Sequence, residues 1–242
     1  MIKVIVHIAK AIVTVITMLL FLSSCDGEKL DGSGNVIRQE RKVPGEFTSV
    51  SVEKNLIVVI EQAKDRSITV EADDNLQEHI TVEVKGGELI ISSDVNIRNG
   101  AKTVIVHMPE IKGIEASSGS SVSSNNVLKS DNLTLDSGSG SSMNVTIDAD
   151  FVKCESGSGS SIKVQGMANK LEAESGSGSN IDARGLKAKK VVADASSGSN
   201  LTVNPIENLS ASASSGGKVY YVKTPNELSK KVSSGGSVSQ AN

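Results

Sequence analysis

The most constraining feature of the chain is a serine-glycine turn that returns seven times at almost constant spacing. Anchored on one glycine each, the turns fall at Gly119, Gly140, Gly159, Gly178, Gly198, Gly216 and Gly235, separated by 21, 19, 19, 20, 18 and 19 residues. A serine precedes every anchor, and an apolar residue stands three positions after each: Val122, Met143, Ile162, Ile181, Leu201, Val219 and Val238. Seven and five positions before the anchor the middle repeats place Leu133/Leu135, Val152/Cys154, Leu171/Ala173, Val191/Ala193 and Leu209/Ala211. This is period-2 alternation on both flanks of a glycine corner, the signature of strands with one buried face. A flexible serine-glycine linker carries no aliphatic residues in phase on both sides, so low complexity here does not mean disorder.

About 19 residues are too few to hold a crossover helix between parallel strands, so each repeat must stack on the next. The expected fold is all-β, a right-handed parallel β-solenoid with rungs of about 19 residues spaced by about 4.8 Å. Aliphatic ladders fill its interior, and inward serines at the corner hydrogen-bond along the stack. The anchoring glycine supplies positive φ or close backbone approach. Composition agrees: 22 Gly against 2% aromatic residues argues against a helical bundle and for a core of Val, Ile, Leu and Ala. At the far end Lys230, Lys231 and Gln240 take positions that are apolar or nearly so elsewhere, which marks a fading last rung.

The region before the repeats reads differently. Strand patterns at Val36–Val43, Phe47–Val52, Leu56–Ile60, Ser67–Ala72, Ile80–Val84, Glu88–Ser92 and Thr103–Met108 alternate with turns at Pro44-Gly45, Asp73-Asp74-Asn75, Lys85-Gly86-Gly87 and Asn99-Gly100. Connections this short favour antiparallel hairpins. Residues 34–110 are therefore expected as a β-hairpin cap over the open edge of the solenoid, residues 111–242. The two together are expected to form one structural domain.

Ahead of both lies a processing segment. Lys3 and Lys10 lie in a basic n-region ahead of an apolar run, Ala11–Leu22, that is too short to span a bilayer core comfortably and fits a signal-peptide h-region. Ser23-Ser24-Cys25 resembles the lipobox of bacterial lipoproteins. That resemblance implies a signal peptide over 1–24, acylation of Cys25, and a lipidated tether over 25–33. An ordinary signal peptide with an incidental Cys25, or a lone N-terminal membrane helix, are the alternatives. Loss of Lys3 and Lys10 with the leader takes the formal charge from −3 to −5, against a nucleic-acid partner.

Gly34 to Arg41 (GNVIRQER), then Phe47 with Val50 and Val52, Val70 to Leu76 (VEADDNL), Gly87 to Ile91 (GELII) and the serine-glycine rungs together resemble one family. It is the head-GIN-domain family, auto-transporter adhesins by inference and common among Bacteroidetes lipoproteins. The resemblance covers roughly residues 34–238. It implies an all-β solenoid-like fold and an envelope address, and brings no catalytic residues with it. Asp26 and Glu28 resemble the acidic surface-export signals of such lipoproteins, which favours the outer membrane with surface exposure over the periplasmic side.

Catalytic signatures do not accumulate. No serine has glycine both two before and two after it, as a nucleophile elbow requires. Cys154 falls at an inward position and reads as a buried small hydrophobe; the mature histidines, His79 and His107, lack metal-ligand spacing. In Tyr220-Tyr221, alternation puts Tyr221 inward and Tyr220 outward. One outward pattern stands out. Four positions before the anchor, successive rungs carry Glu115, Asp136, Glu155, Glu174 and Asp194. Stacked at about 4.8 Å, such neighbours repel by roughly 1 kcal/mol each even in water. The column reads first as a solubilising face, and secondly as a site for calcium or a basic partner, with Lys153 and Lys163 placed to neutralise parts of it. The expected function is a non-enzymatic envelope lipoprotein, an adhesin or structural protein, bound to the membrane through its lipid and to a surface or envelope partner. A homo-oligomer is compatible with the pattern. A lipid or small-hydrophobe binder is the alternative, and a polysaccharide-acting β-helix enzyme the third reading.

Overall fold

The computed structural model describes residues 29–241; the signal segment and Cys25 lie outside them. The N-terminal part comprises β1 (Lys29–Leu30), β2 (Val36–Glu40), β3 (Ser49–Val52), β4 (Ile57–Gln62) and β5 (Ser67–Asp73). A 3-10 turn at Asp74–His79 follows, then β6 (Ile80–Lys85), β7 (Glu88–Ser93), β8 (Asn96–Ile97) and β9 (Lys102–Met108). The repeats give β10 (Gly113–Ala116), β11 (Ser121–Ser137), β12 (Ser142–Ser156), β13 (Ser161–Ser175), β14 (Asn180–Ala195), β15 (Asn200–Ala213), β16 (Lys218–Tyr221), β17 (Glu227–Val232) and β18 (Ser237–Gln240).

The repeats form the parallel solenoid that their period demands. One register column after the corner runs Val122, Met143, Ile162, Ile181, Leu201, Val219 and Val238. Another before it runs Leu133, Val152, Leu171, Val191, Leu209 and Leu228. All but Leu228 and Val238, at the open end, are buried. A one-residue slip would turn every one of these side chains to solvent, so burial locks the register.

The corner is a two-residue turn with both residues left-handed. The serine before each anchor has φ between 47° and 52°, and the anchoring glycine between 69° and 76°. A left-handed non-glycine residue costs about 1–2 kcal/mol, and here it aims polar groups along the stack. Gly119 N–H donates to Ser139 C=O at 3.0 Å, Gly140 to Ser158 at 3.1 Å and Gly159 to Ser177 at 3.1 Å, so each turn bonds the next. Beneath them lies the expected serine ladder. Ser120, Ser141, Ser160, Ser179 and Ser199 are buried, and each hydroxyl donates to a carbonyl one level back, from Ser120 to Val52 at 2.9 Å through Ser199 to Ser175 at 2.6 Å.

The N-terminal half contains the expected antiparallel pairs, β2 with β5, β5 with β9 and β6 with β7. It also supplies two further parallel levels. β3 and β4 lie in register with β10 and β11 on one side and with β7 and β9 on the other. The chain thus lays down the second level first, turns out through β5 and β6, returns to make the outermost parallel level, and crosses back to begin the repeats. Lys54 and Asn55, with φ of 60° and 59°, make the same corner without serine or glycine, and Asn55 N–H donates to Ser118 C=O at 2.9 Å. One column accordingly passes through nine levels: Ile91, Val52, Ala116, Ser137, Ser156, Ser175, Ala195, Ala213 and Val232.

Residues 29–33, the described part of the expected tether over 25–33, are docked on the cap. β1 pairs with β8, Leu30 packs against the core, and Asp31 forms an ion pair with Arg98 and accepts from Asn99 Nδ2 at 3.0 Å. Ser33 and Asn35 both donate to the Asp74 carboxylate. The Asp74 carboxylate, on the turn after β5, thus holds the Ser33–Asn35 segment down, which a DGSG text does not disclose.

Candidate functional site

The acidic residues align as one outward column. Glu115 on β10, Asp136 on β11, Glu155 on β12, Glu174 on β13 and Asp194 on β14 are direct register partners, each with the next. Ser51 precedes Glu115 in the column, and Ser212 and then Lys231 follow Asp194. Lys231 is therefore the end of the acidic row and not an inward position, because it lies four residues before its anchor. Lys230 does take an inward position, and its ammonium sits 4.8 Å from the centre of the Tyr221 ring and donates to the Tyr221 hydroxyl at 3.1 Å. The long stem covers the open end of the core while the charge stays at the surface. Tyr221 is buried and Tyr220 half-buried, as alternation requires.

Beside the column runs a shallow groove of about 370 Å³ whose lining includes Asp136, Glu155, Glu174, Asp194, Gly157 and Gly176. Partial burial raises the Glu115 carboxyl above its ordinary value, and the charges of Asp136, Glu88 and Glu53 add to this. Asp136 is raised too, by burial and then by Glu155, with Lys153 acting against it. Lys153 lies within 2.9 Å of Glu155 Oε1, and this contact, with Glu174 and Glu172 nearby, raises its own pKa. Lys163 stands beyond the corner, in register with Asn144 and Asp182. Of the two lysines expected to offset the column, Lys153 is the one beside it. The carboxylates form a row and not a cage. Among the described residues no three His, Cys, Asp or Glu side chains come together as a metal-ion site.

The other candidate chemistry stays dispersed. Cys154 is fully enclosed, and burial pushes its thiol up to about 12. His79 pairs through Nδ1 with Asp94 at 2.9 Å, and His107 Nδ1 lies 2.9 Å from Ser67 Oγ. A larger polar groove of about 810 Å³ follows the bend of the first repeats and is lined in part by Gln62, Lys129, Asp131, Asp148 and Asp150. Sequence reasoning missed it because its walls come from the irregular bend, where the repeats share no text. It missed Asp73 as well. That side chain is 1% exposed, Oδ2 accepts from Ala101 N–H at 3.1 Å, and Oδ1 has no partner.

The sequence profile of the family described as "putative auto-transporter adhesin, head GIN domain" matches residues 46–225, most of the chain. The chain belongs to the head GIN domain family. The match spans most of the cap and six of the seven serine-glycine turns. No curated protein matches the chain. Among solved structures, one described as a "putative adhesin" from Bacteroides fragilis superposes with a TM-score of 0.80 at 22% identity, covering 88% of this chain and all of that one. A second "putative adhesin", from Parabacteroides distasonis, gives 0.72 at 19% identity over 88% of this chain and all of its own. A "putative lipid binding protein" from the same species gives 0.67 at 18%, over 89% and 100%. At such identities these structures establish a shared fold.

Proposed function

We propose that the mature chain is a non-enzymatic, lipid-anchored adhesin of the cell envelope, held at the outer membrane through Cys25 and facing outward. The observation that carries the reading is the outward wall of the stack, where five carboxylates stand in register over consecutive levels as one continuous acidic strip. A strip of this kind suits docking of a basic protein surface, because its field adds up over several residues while each charge remains solvated. Membership of a family of inferred adhesins agrees with it. Among the described residues no helix is long and apolar enough to cross a membrane, and in this reading attachment rests on the lipid at Cys25. Two or more acyl chains give stable anchoring at about 0.8 kcal/mol per buried methylene.

Four measurements test the reading. Cys25→Ala should leave the chain unprocessed or released from membranes; a variant of wild-type mass that still partitions with membranes would show the lipobox reading to be wrong. Protease shaving of intact cells should remove the wild-type chain if it faces outward. Cells carrying Glu155→Gln and Glu174→Gln should bind less to immobilised basic proteins than wild-type cells at low salt, and equal binding would remove the strip as the contact. Incubation with a glycan panel should yield no product. A lipid-binding reading draws on a structural neighbour described as a "putative lipid binding protein". It fails if delipidated protein releases no bound lipid on extraction.

A further inference from the structure

The geometry points to a defined stance on the bilayer: the N-terminal cap of the solenoid rests at the lipid headgroups, and the last rung is the membrane-distal end. This rests on the anchoring proposed above. Only Asp26, Gly27 and Glu28 separate Cys25 from Lys29, where the described fold begins. Four residue steps reach about 14 Å at full extension. That bound holds whatever path those residues take.

Beyond Lys29 there is no slack. β1 pairs with β8, Arg98 N–H donates to Leu30 C=O at 3.0 Å, and Gly32 N–H donates to Asn99 C=O at 2.8 Å. The Asp31–Arg98 ion pair and the bonds of Ser33 and Asn35 to Asp74 close the clamp. The clamp sits on the segment joining β7 to β9, which is the outermost of the nine parallel levels, and only the antiparallel strands β5, β6 and β2 lie beyond it. The attachment point and the cap thus share one end. The opposite end, β17 and β18, is eight steps away, about 38 Å at about 4.8 Å per step. A lipid within about 14 Å of the cap cannot bring both ends to the surface unless the stack lies flat. Lying flat would press a long, mostly polar wall, including carboxylates of the acidic column on one side, against the headgroups, with only single exposed apolar side chains such as Val127, Met167 and Ile206 in exchange. The partner of the cap is therefore the bilayer surface, on whichever leaflet the lipid is seated, and the acidic strip runs away from the membrane along the stack.

Energy transfer to the bilayer tests this. The acylated chain is reconstituted into phosphatidylcholine vesicles that contain a headgroup-labelled acceptor lipid. Donors are attached at Glu83→Cys on exposed β6 and, in a second variant, at Ser239→Cys on β18. With Cys25 acylated and Cys154 enclosed, each variant has one reactive thiol. Transfer at position 83 should exceed that at 239 several-fold. A twelve-residue glycine-serine spacer inserted between Gly27 and Glu28 adds roughly 20 Å of flexible reach, and should lower transfer at 83 without releasing the protein. Equal transfer at the two positions, or transfer at 83 indifferent to the spacer, overturns the stance while co-flotation with vesicles leaves the anchor standing. Failure to co-float overturns the anchor itself, and the stance with it.

Discussion

At the scale of single residues, the corner serines join sequence to stability. Ser160 illustrates the set. Its hydroxyl donates to Ser137 C=O at 2.5 Å and lies 2.9 Å from Ser156 Oγ, and the side chain is 2% exposed. Ser160→Ala takes the Ser160 hydroxyl from the buried Ser156 Oγ and leaves Ser137 C=O with the Gly157 N–H alone, at a cost of about 1–3 kcal/mol. For a chain of this size that is a fall in melting temperature of roughly 2–4 °C per kcal/mol, and an unchanged midpoint would show the ladder to be energetically idle. Cys154 gives a second residue-level prediction. With burial pushing its thiol up to about 12, almost no thiolate exists at pH 8, and no path leads a reagent to it. In the Cys25→Ala protein, a thiol reagent should fail to label the native chain and label it fully in denaturant. Rapid native labelling would mean that the stack opens at that rung.

The acidic column belongs to the scale of elements, because its members meet only when β10 to β14 stack. Glu115 and Asp136 have folded pKa values raised above their ordinary 4.5 and 3.8. The folded state therefore holds these protons more tightly than the unfolded chain does. Their stabilising effect is complete below the ordinary values and is lost as pH rises through the raised ones. At neutral pH both are ionised and unfavourable, so Glu115→Gln with Asp136→Asn should raise the melting temperature by up to about 3 °C, a modest figure because both groups are solvated. That gain should shrink as pH falls through the raised values and vanish below the ordinary ones, where the wild-type residues are protonated in both folded and unfolded chains. Lys153→Met should act in the opposite sense, removing the cation beside Glu155 and lowering the midpoint at pH 7. Calcium should do no more than sodium chloride of equal ionic strength, since the row offers no cage. A larger calcium effect, abolished by Glu155→Gln with Glu174→Gln, would establish a cation site.

For the whole molecule the decisive fact is that the level built from β3 and β4 lies between the outermost level and the first serine-glycine rung. Val50, Val52, Val58 and Ile60 on that level are fully buried. Removing residues up to 110 would expose the apolar interior of β10 and β11 and a row of unpaired backbone groups, a template for aggregation. A fragment of residues 111–242 should aggregate or lose cooperative unfolding, as judged by size-exclusion chromatography and circular dichroism. A monomeric fragment with a cooperative transition would show that the repeats fold without the cap.

The sequence alone determined the features that repeat. Period-2 alternation about a recurring corner specifies strand, inward face and register together, because a slip of one residue exposes every aliphatic ladder. The inward serines, the alignment of Glu115 through Asp194, and the enclosure of Cys154 follow from the same arithmetic. Strand positions in the first half were legible as well, since Val50/Val52 and Val104/Val106 alternate like any strand. Their partners were not. Short turns between them suggest hairpins, yet β3, β4, β7 and β9 pair in parallel with strands far along the chain, a choice set by which apolar faces can cover the first rung and which no local pattern encodes. The corner at Lys54-Asn55 was hidden because its geometry is set by the levels on either side and not by a serine-glycine text. The docking of Asp31, Ser33 and Asn35 was equally invisible, since a polar glycine-rich segment is a tether until distant turns meet it, with Arg98 and Asn99 as donors to Asp31 and Asp74 as the acceptor for Ser33 and Asn35. Only the tertiary structure brings those donors together, and with them it decides which end of the stack the chain begins from.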